Sequence, residues 1–135
     1  MKPEHVSELV RLRLKQAQET LVDARTLLDA DRTPRSVVNR AYYAMFYAVM
    51  ALLQSAGKAA SKHAGVISLF DKEFVHAGVF PVEMSRALHE AFDERHESDY
   101  ETIKAATRDE AAHLLAEAER FVEQVARHLQ RQTAD

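Results

Sequence analysis

The chain has no cysteine, so disulfide frameworks, thiolate metal sites and a cysteine nucleophile are excluded, and a reducing cytoplasm is the expected compartment. Proline and glycine are scarce, three of each, and few breakers leave long regular elements. Long apolar runs are missing as well. Nothing approaches the roughly 20 apolar residues that span a bilayer, and Met1 to Leu14 is charged throughout rather than signal-like. Neither membrane insertion nor export is therefore expected. A surplus of positive charge is absent too: the formal net charge of -3 excludes bulk attraction to nucleic acid and confines any RNA contact to a local basic groove.

The residues that are present suit one folded domain over 1–135, with 47% hydrophobic and 29% charged, enough apolar material to bury a single core. Most of the prolines and glycines sit where helical periodicity changes. Val6, Val10, Leu14, Ala17, Leu21, Ala24 and Leu28 recur at three- and four-residue steps and predict a first helix from about Pro3 to Asp29. A second opens at Pro34, after Thr33, and stops before Gly57. A third spans about Lys62 to Ala77 ahead of Gly78, and a fourth runs from Pro81 to about Ser98. Thr107 and Glu110 form a capping-box pair before the stripe Leu114, Leu115, Ala118, Phe121, Val122, Val125 and Leu129, a fifth helix expected to fray near Arg131. Without strand-like alternation or repeats, the expected class is all-α, an up-and-down bundle of four to five helices.

Helix two stands apart because Val37, Val38, Ala41, Tyr42, Ala44, Met45, Phe46, Ala48, Val49, Leu52 and Leu53 point in nearly every direction around its axis. Such a helix is buried all round, or buried by its own bundle on one side and by a second subunit on the other. The second arrangement predicts a homodimer. Its polar residues Asn39, Arg40, Tyr43 and Tyr47 fall within about a third of the circumference at about 100° per residue. The strip suits either a functional groove or an arginine–carboxylate pair with tyrosine hydroxyls at the rim. On helix four, Arg95 and Asp99 are four residues apart, which is also the spacing of an exposed helical ion pair.

Three ordered blocks carry a family likeness. Asn-Arg-Ala-Tyr-Tyr-Ala-Met-Phe-Tyr-Ala (Asn39 to Ala48), Ser-Lys-His-Ala-Gly-Val-Ile-Ser-Leu-Phe (Ser61 to Phe70) and Arg95 through Asp99-Tyr100 resemble the stand-alone HEPN proteins of bacteria and archaea. The likeness extends over nearly the whole chain. It implies a HEPN-like bundle, commonly dimeric, partnered by a minimal nucleotidyltransferase in toxin–antitoxin-type pairs. It also implies a metal-independent endoribonuclease as an alternative activity, with Arg95, Asp99 and Tyr100 as the catalytic candidates and Asn39, Arg40, Tyr43, Tyr47, Lys62 and His63 as the binding cleft.

The active nucleases of this family resemble one another in an arginine followed, after four to six residues, by histidine. From Arg95 the matching positions hold Tyr100, Glu101 and Thr102. His96 is adjacent and about 100° away around the helix, so it does not replace the missing group. A substitute base would be Asp99, Tyr100 or His63, although an ordinary exposed carboxylate titrates near 4, far from the neutral range that acid–base catalysis favours. Lys62 and His63 open helix three, where free backbone N–H groups suit a phosphate of RNA or of a nucleotide; an exposed, solvated first turn is the alternative.

Glu73–His76 and Glu110–His113 share the Glu-x-x-His spacing of di-iron bundles. His113, however, falls about 140° from the stripe of its helix, and helix two supplies no carboxylate. No metal and no cofactor are expected, and His5, His89 and His128 read as surface residues.

Three functions remain: a binding or regulatory partner of a nucleotidyltransferase, a metal-independent endoribonuclease, and a non-catalytic dimeric scaffold. The missing histidine yields a direct expectation, because general acid–base help contributes about 10²–10⁴-fold and arginine cannot exchange protons near neutrality. Purified protein is expected to cleave generic single-stranded RNA slowly or not at all, equally with and without EDTA. Strong EDTA-resistant cleavage that disappears in both Arg95→Ala and Asp99→Ala variants would show aspartate acting in histidine's place.

Overall fold

The structure is a computed structural model describing residues 2–100 and 106–133; the side chains of residues 96–100 and 133 fall outside the description. The described elements are helices α1 (Pro3–Asp29), α2 (Pro34–Ser55), α3 (His63–Phe70), a π-helical turn (Asp71–Val75), α4 (Val82–Tyr100) and α5 (Arg108–Thr133). No strand occurs among the described residues. The chain is all-α, as its periodicity predicts.

Local chemistry sets the boundaries. Pro3 and Pro34 lie in the first turns of α1 and α2, where a missing N–H costs nothing. Helix α2 ends in a Schellman arrangement: Gly57 takes a φ of +72°, its N–H bonds to Gln54 O at 3.1 Å, and Lys58 N–H bonds to Leu53 O at 2.8 Å. The reciprocal cap on α5 forms as the sequence predicts, with Thr107 N–H donating to Glu110 Oε1 at 2.9 Å and Glu110 N–H to Thr107 Oγ1 at 3.1 Å. Helix α5 keeps helical geometry through Thr133, beyond the fraying expected near Arg131.

Helix three departs from expectation. In place of one α-helix from Lys62 to Ala77, α3 ends at Phe70 and one wider turn follows, closed by the bond from His76 N–H to Asp71 O at 2.8 Å. Helix α4 holds the start of this turn. Ser85 Oγ donates to Asp71 Oδ1 at 2.7 Å, and His89 Nε2 lies 2.7 Å from Asp71 Oδ2. The turn leaves Phe70 and Phe74 buried with Phe80 and Phe121, their ring centres 5.4–6.1 Å apart. His89 is exposed, as expected of a surface residue, and it is paired with Asp71. His128 is half-buried against Phe74 and Phe80, because it lies two turns beyond Phe121 on the same face of α5.

Helix α2 is the centre of the bundle, with α1, α3, α4 and α5 packed around it. Between Val37 and Leu53 only Arg40 is exposed. One chain therefore absorbs the apolar surplus that the sequence assigns to a dimer interface, and the homodimer expectation keeps only its support from the family likeness. On α1 and α5 the apolar stripes face inward, while Arg25–Glu119 at 2.6 Å and Arg108–Asp31 at 2.9 Å bridge their partly exposed margins. Such pairs contribute little to stability.

Packing around α2 predicts where mutation is costly. Leu52, wholly buried, is expected to lose about 2–5 kcal/mol on replacement by alanine. Val22→Ala, at a position 64% exposed on α1, should fall within about 0.5 kcal/mol of wild type. Urea unfolding of both variants checks the contrast, and a mild Leu52 variant would contradict the central placement of α2.

Candidate functional site

Asn39, Tyr43 and Tyr47 lie one turn apart on α2, all half-buried, with Tyr42 turned inward beside Tyr43. Helix α3 begins at His63 and α4 brings up Arg95, so residues from three helices meet at the two tyrosines. The Tyr42 hydroxyl and His63 Nδ1 share a hydrogen bond of 2.8 Å. The His63 ring stacks on Phe46 with centres 4.1 Å apart and lies 5.8 Å from both the Tyr42 and Tyr43 rings.

On the tyrosine pair also rests the guanidinium of Arg95. Its Cζ is 5.0 Å from the Tyr42 ring centre, 5.5 Å from Tyr43 and 5.9 Å from Phe92, distances at which a cation is attracted to an aromatic ring. Nη1 donates to the Tyr43 hydroxyl at 3.1 Å. Nε is buried and has no acceptor among the described residues, and no described carboxylate forms an ion pair with Arg95. Among the described residues Arg95 is a half-buried cation held by aromatic rings and one neutral hydroxyl, an arrangement that can accept an anionic ligand.

The surroundings set protonation. Burial pushes the Tyr42 phenol well above its ordinary range, although the Arg95 charge pulls the other way; the phenol therefore stays neutral at physiological pH. Burial, and then the Arg95 charge, hold the His63 imidazole below the usual histidine value, which favours its neutral form.

The residues expected in the site separate. Arg95 meets Tyr43 directly, joining blocks that lie far apart in the sequence, and Tyr47 lies beside Tyr43 with ring centres 5.8 Å apart. His63 joins them, whereas Lys62 stays exposed just before α3. Arg40 does not join. Two residues from Tyr42, it emerges about 200° around α2, is exposed, and lies 3.9 Å from Asp23 of α1. The side chains of Asp99 and Tyr100 lie outside the described residues. Tyr42 and Phe46 are the residues that sequence reasoning missed as part of the site: in a helix apolar all round, an inward tyrosine reads as core until the position of His63 is known.

Neither Glu-x-x-His spacing forms a grouping of its own. His113 instead pairs with Glu117, one turn along α5, and these two with Glu90 of α4 place three ligand-type atoms within 4.8 Å of one another. Glu90 and His113 are exposed, as in ordinary helix-surface pairs.

Residues 10–129 match the family model of the HEPN domain. Among curated relatives, a "UPF0332 protein" of Thermotoga maritima is 36% identical over 111 residues, covering 82% of this chain and 83% of the relative. A "Putative toxin MJ0605" of Methanocaldococcus jannaschii is 34% identical over 124 residues, covering 92% and 91%. Among solved structures, TT1696 from Thermus thermophilus superposes with a TM-score of 0.69 over 87% of this chain and 96% of that one. At 22% identity that likeness concerns the fold.

The environment of the histidines predicts a pH dependence. His63 and His128 both bind a proton less readily than ordinary histidine, each chiefly through burial. As pH falls through about 6.5 the unfolded chain takes up protons that the folded chain refuses, so stability should decline from about pH 7 toward pH 5. Urea midpoints across that range, with NMR titration of the two rings, check the sign. His63→Gln is expected to remove part of the dependence, and a slope unchanged in that variant would contradict His63's share.

Proposed function

The chain belongs to the HEPN domain family, and from that premise we propose that it is the HEPN component of a toxin–antitoxin-type module. In this reading it acts in the cytoplasm as a homodimer, binds a minimal nucleotidyltransferase, and uses the Arg95 cleft to bind a phosphate of RNA or of a nucleotide. One observation carries the cleft's role: Arg95 is half-buried over the rings of Tyr42 and Tyr43, with a buried Nε that no described acceptor satisfies. A phosphate supplies a negative charge and accepts from a guanidinium in a fixed geometry. The relative named as a toxin supports the module-level part of the reading. Among the described residues, no helix is long and apolar enough to cross a membrane.

A second reading, metal-independent endoribonuclease, gains from His63. Helix α4 lacks the histidine at the spacing expected after Arg95, but α3 delivers one to the same pair of tyrosines. In that role a neutral imidazole would take the proton of a 2′-hydroxyl as its oxygen attacks phosphorus, while water protonates the departing 5′-oxygen.

Co-expression with a nucleotidyltransferase encoded by a neighbouring gene should yield a complex that survives purification. The free protein should bind fluorescein-labelled single-stranded RNA or AMP without added metal. Replacing Arg95 by lysine keeps the charge and removes the planar fork, and should weaken binding by about tenfold. A protein that neither copurifies with that partner nor binds either ligand would overturn the proposal.

A further inference from the structure

The hydrogen bond between Tyr42 and His63 can run in either direction, and the direction decides what His63 does. The Tyr42 side chain is wholly buried, and its hydroxyl has one polar partner among the described residues, His63 Nδ1. If Nδ1 carried the proton and donated to the phenol, the Tyr42 O–H would be left in the interior with no acceptor among the described residues, the costly case for a buried donor. If Tyr42 donates, its O–H is satisfied and Nδ1 is used as an acceptor.

On the other side of the ring, Nε2 has no protein partner among the described residues and is not among the buried unpartnered atoms. It can meet solvent or a ligand in either tautomer, so it does not offset the penalty at Tyr42. Satisfying the buried phenol therefore selects the tautomer.

Resting on the phosphate-binding reading of this cleft, we propose that Tyr42 holds neutral His63 as its Nε2–H tautomer, so that His63 joins Arg95 in binding a phosphate as a hydrogen-bond donor and not as a base. The lone pair that a base requires is committed to Tyr42 through Nδ1. Tyr42 is a positioning residue and His63 contacts the ligand. The two donors flank one tyrosine pair, Arg95 at 5.0 and 5.5 Å from the ring centres and His63 at 5.8 Å from each, and together they carry one positive charge. Stacking on Phe46 fixes the imidazole plane, and the neighbouring guanidinium disfavours a second cation beside it.

The tautomer is read without any ligand. In ¹⁵N-labelled full-length protein at neutral pH, His63, assigned by comparison with His63→Gln, should show a protonated Nε2 and an unprotonated, hydrogen-bonded Nδ1. Tyr42→Phe should convert it to a mixture. Binding is then measured by anisotropy with fluorescein-labelled single-stranded RNA and by calorimetry with AMP, which separates the two phosphate sources. His63→Ala should weaken whichever ligand binds by about three- to tenfold, the worth of one hydrogen bond, and His63→Gln, whose amide nitrogen stands in for Nε2–H, should stay within about twofold of wild type.

A protonated Nδ1 in the wild-type protein would overturn the proposal. So would a His63→Gln variant as weak as His63→Ala, or wild-type metal-independent RNA cleavage that His63→Gln abolishes while binding persists. Binding of neither probe by wild type would overturn the phosphate-binding reading and the donor role together, a failure distinguishable from the others because the tautomer is measured separately.

Discussion

Between Val37 and Leu53 every residue of α2 except Arg40 is at least half-buried, so its apolar side chains must be covered by neighbouring helices and each fully buried side-chain polar atom must find a partner there. The rest of the bundle is arranged around this constraint. Aliphatic and alanine positions meet it by packing against α1 and α5, where small side chains such as Ala41, Ala44, Ala48 and Ala51 are sealed completely. The tyrosines have further requirements. Tyr42 needs a hydrogen-bond partner and obtains His63 from α3, while Tyr43 obtains Arg95 from α4. The proposed site is consequently the place where the most buried helix has polar atoms to satisfy.

Placing a guanidinium there has electrostatic consequences. Arg95 lies against aromatic faces, which attract a cation but offer weaker compensation than a carboxylate or water. Its field opposes protonation of His63 and favours ionisation of Tyr42, while burial opposes the charged form of both rings and outweighs Arg95 at Tyr42. The resulting pair is electrically neutral beside a cation that no carboxylate among the described residues compensates. That combination suits binding of an anion. It suits proton transfer less well, because a buried phenol held in neutral form is a hydrogen-bond anchor for the imidazole rather than a proton sink.

The π-turn after α3 supports the same site from a distance. Asp71 accepts from Ser85 and lies against His89, both on α4, so the wider turn is fastened to the helix that carries Arg95. The same stretch buries Phe70 and Phe74 together, which orients α3 along the core and fixes where its first residue, His63, lies. The aromatic cluster at one end of α3 and the site at its other end are therefore parts of one packing arrangement.

Periodicity, proline and glycine positions and the Thr107–Glu110 pair determined the helices and most of their ends, because those features act within a few residues of one another and need no knowledge of the partner helix. Helical spacing also marked Tyr43, and the start of helix three marked His63, whereas Arg95 became a candidate only through the likeness to the HEPN family. Sequence could not tell a central helix from an interface helix, since an apolar circumference is satisfied equally by four neighbours or by a second subunit. Nor could it place Arg40 outside the site, reveal the π-turn, or distinguish Tyr42 from the core around it. Those outcomes depended on where α1, α3 and α4 pass relative to α2, a matter of side-chain packing between segments far apart in the chain. Tertiary structure alone decided that His63 meets Tyr42 and that Arg95 meets Tyr43, because a buried hydroxyl or guanidinium takes its partner from whichever helix the packing brings within reach.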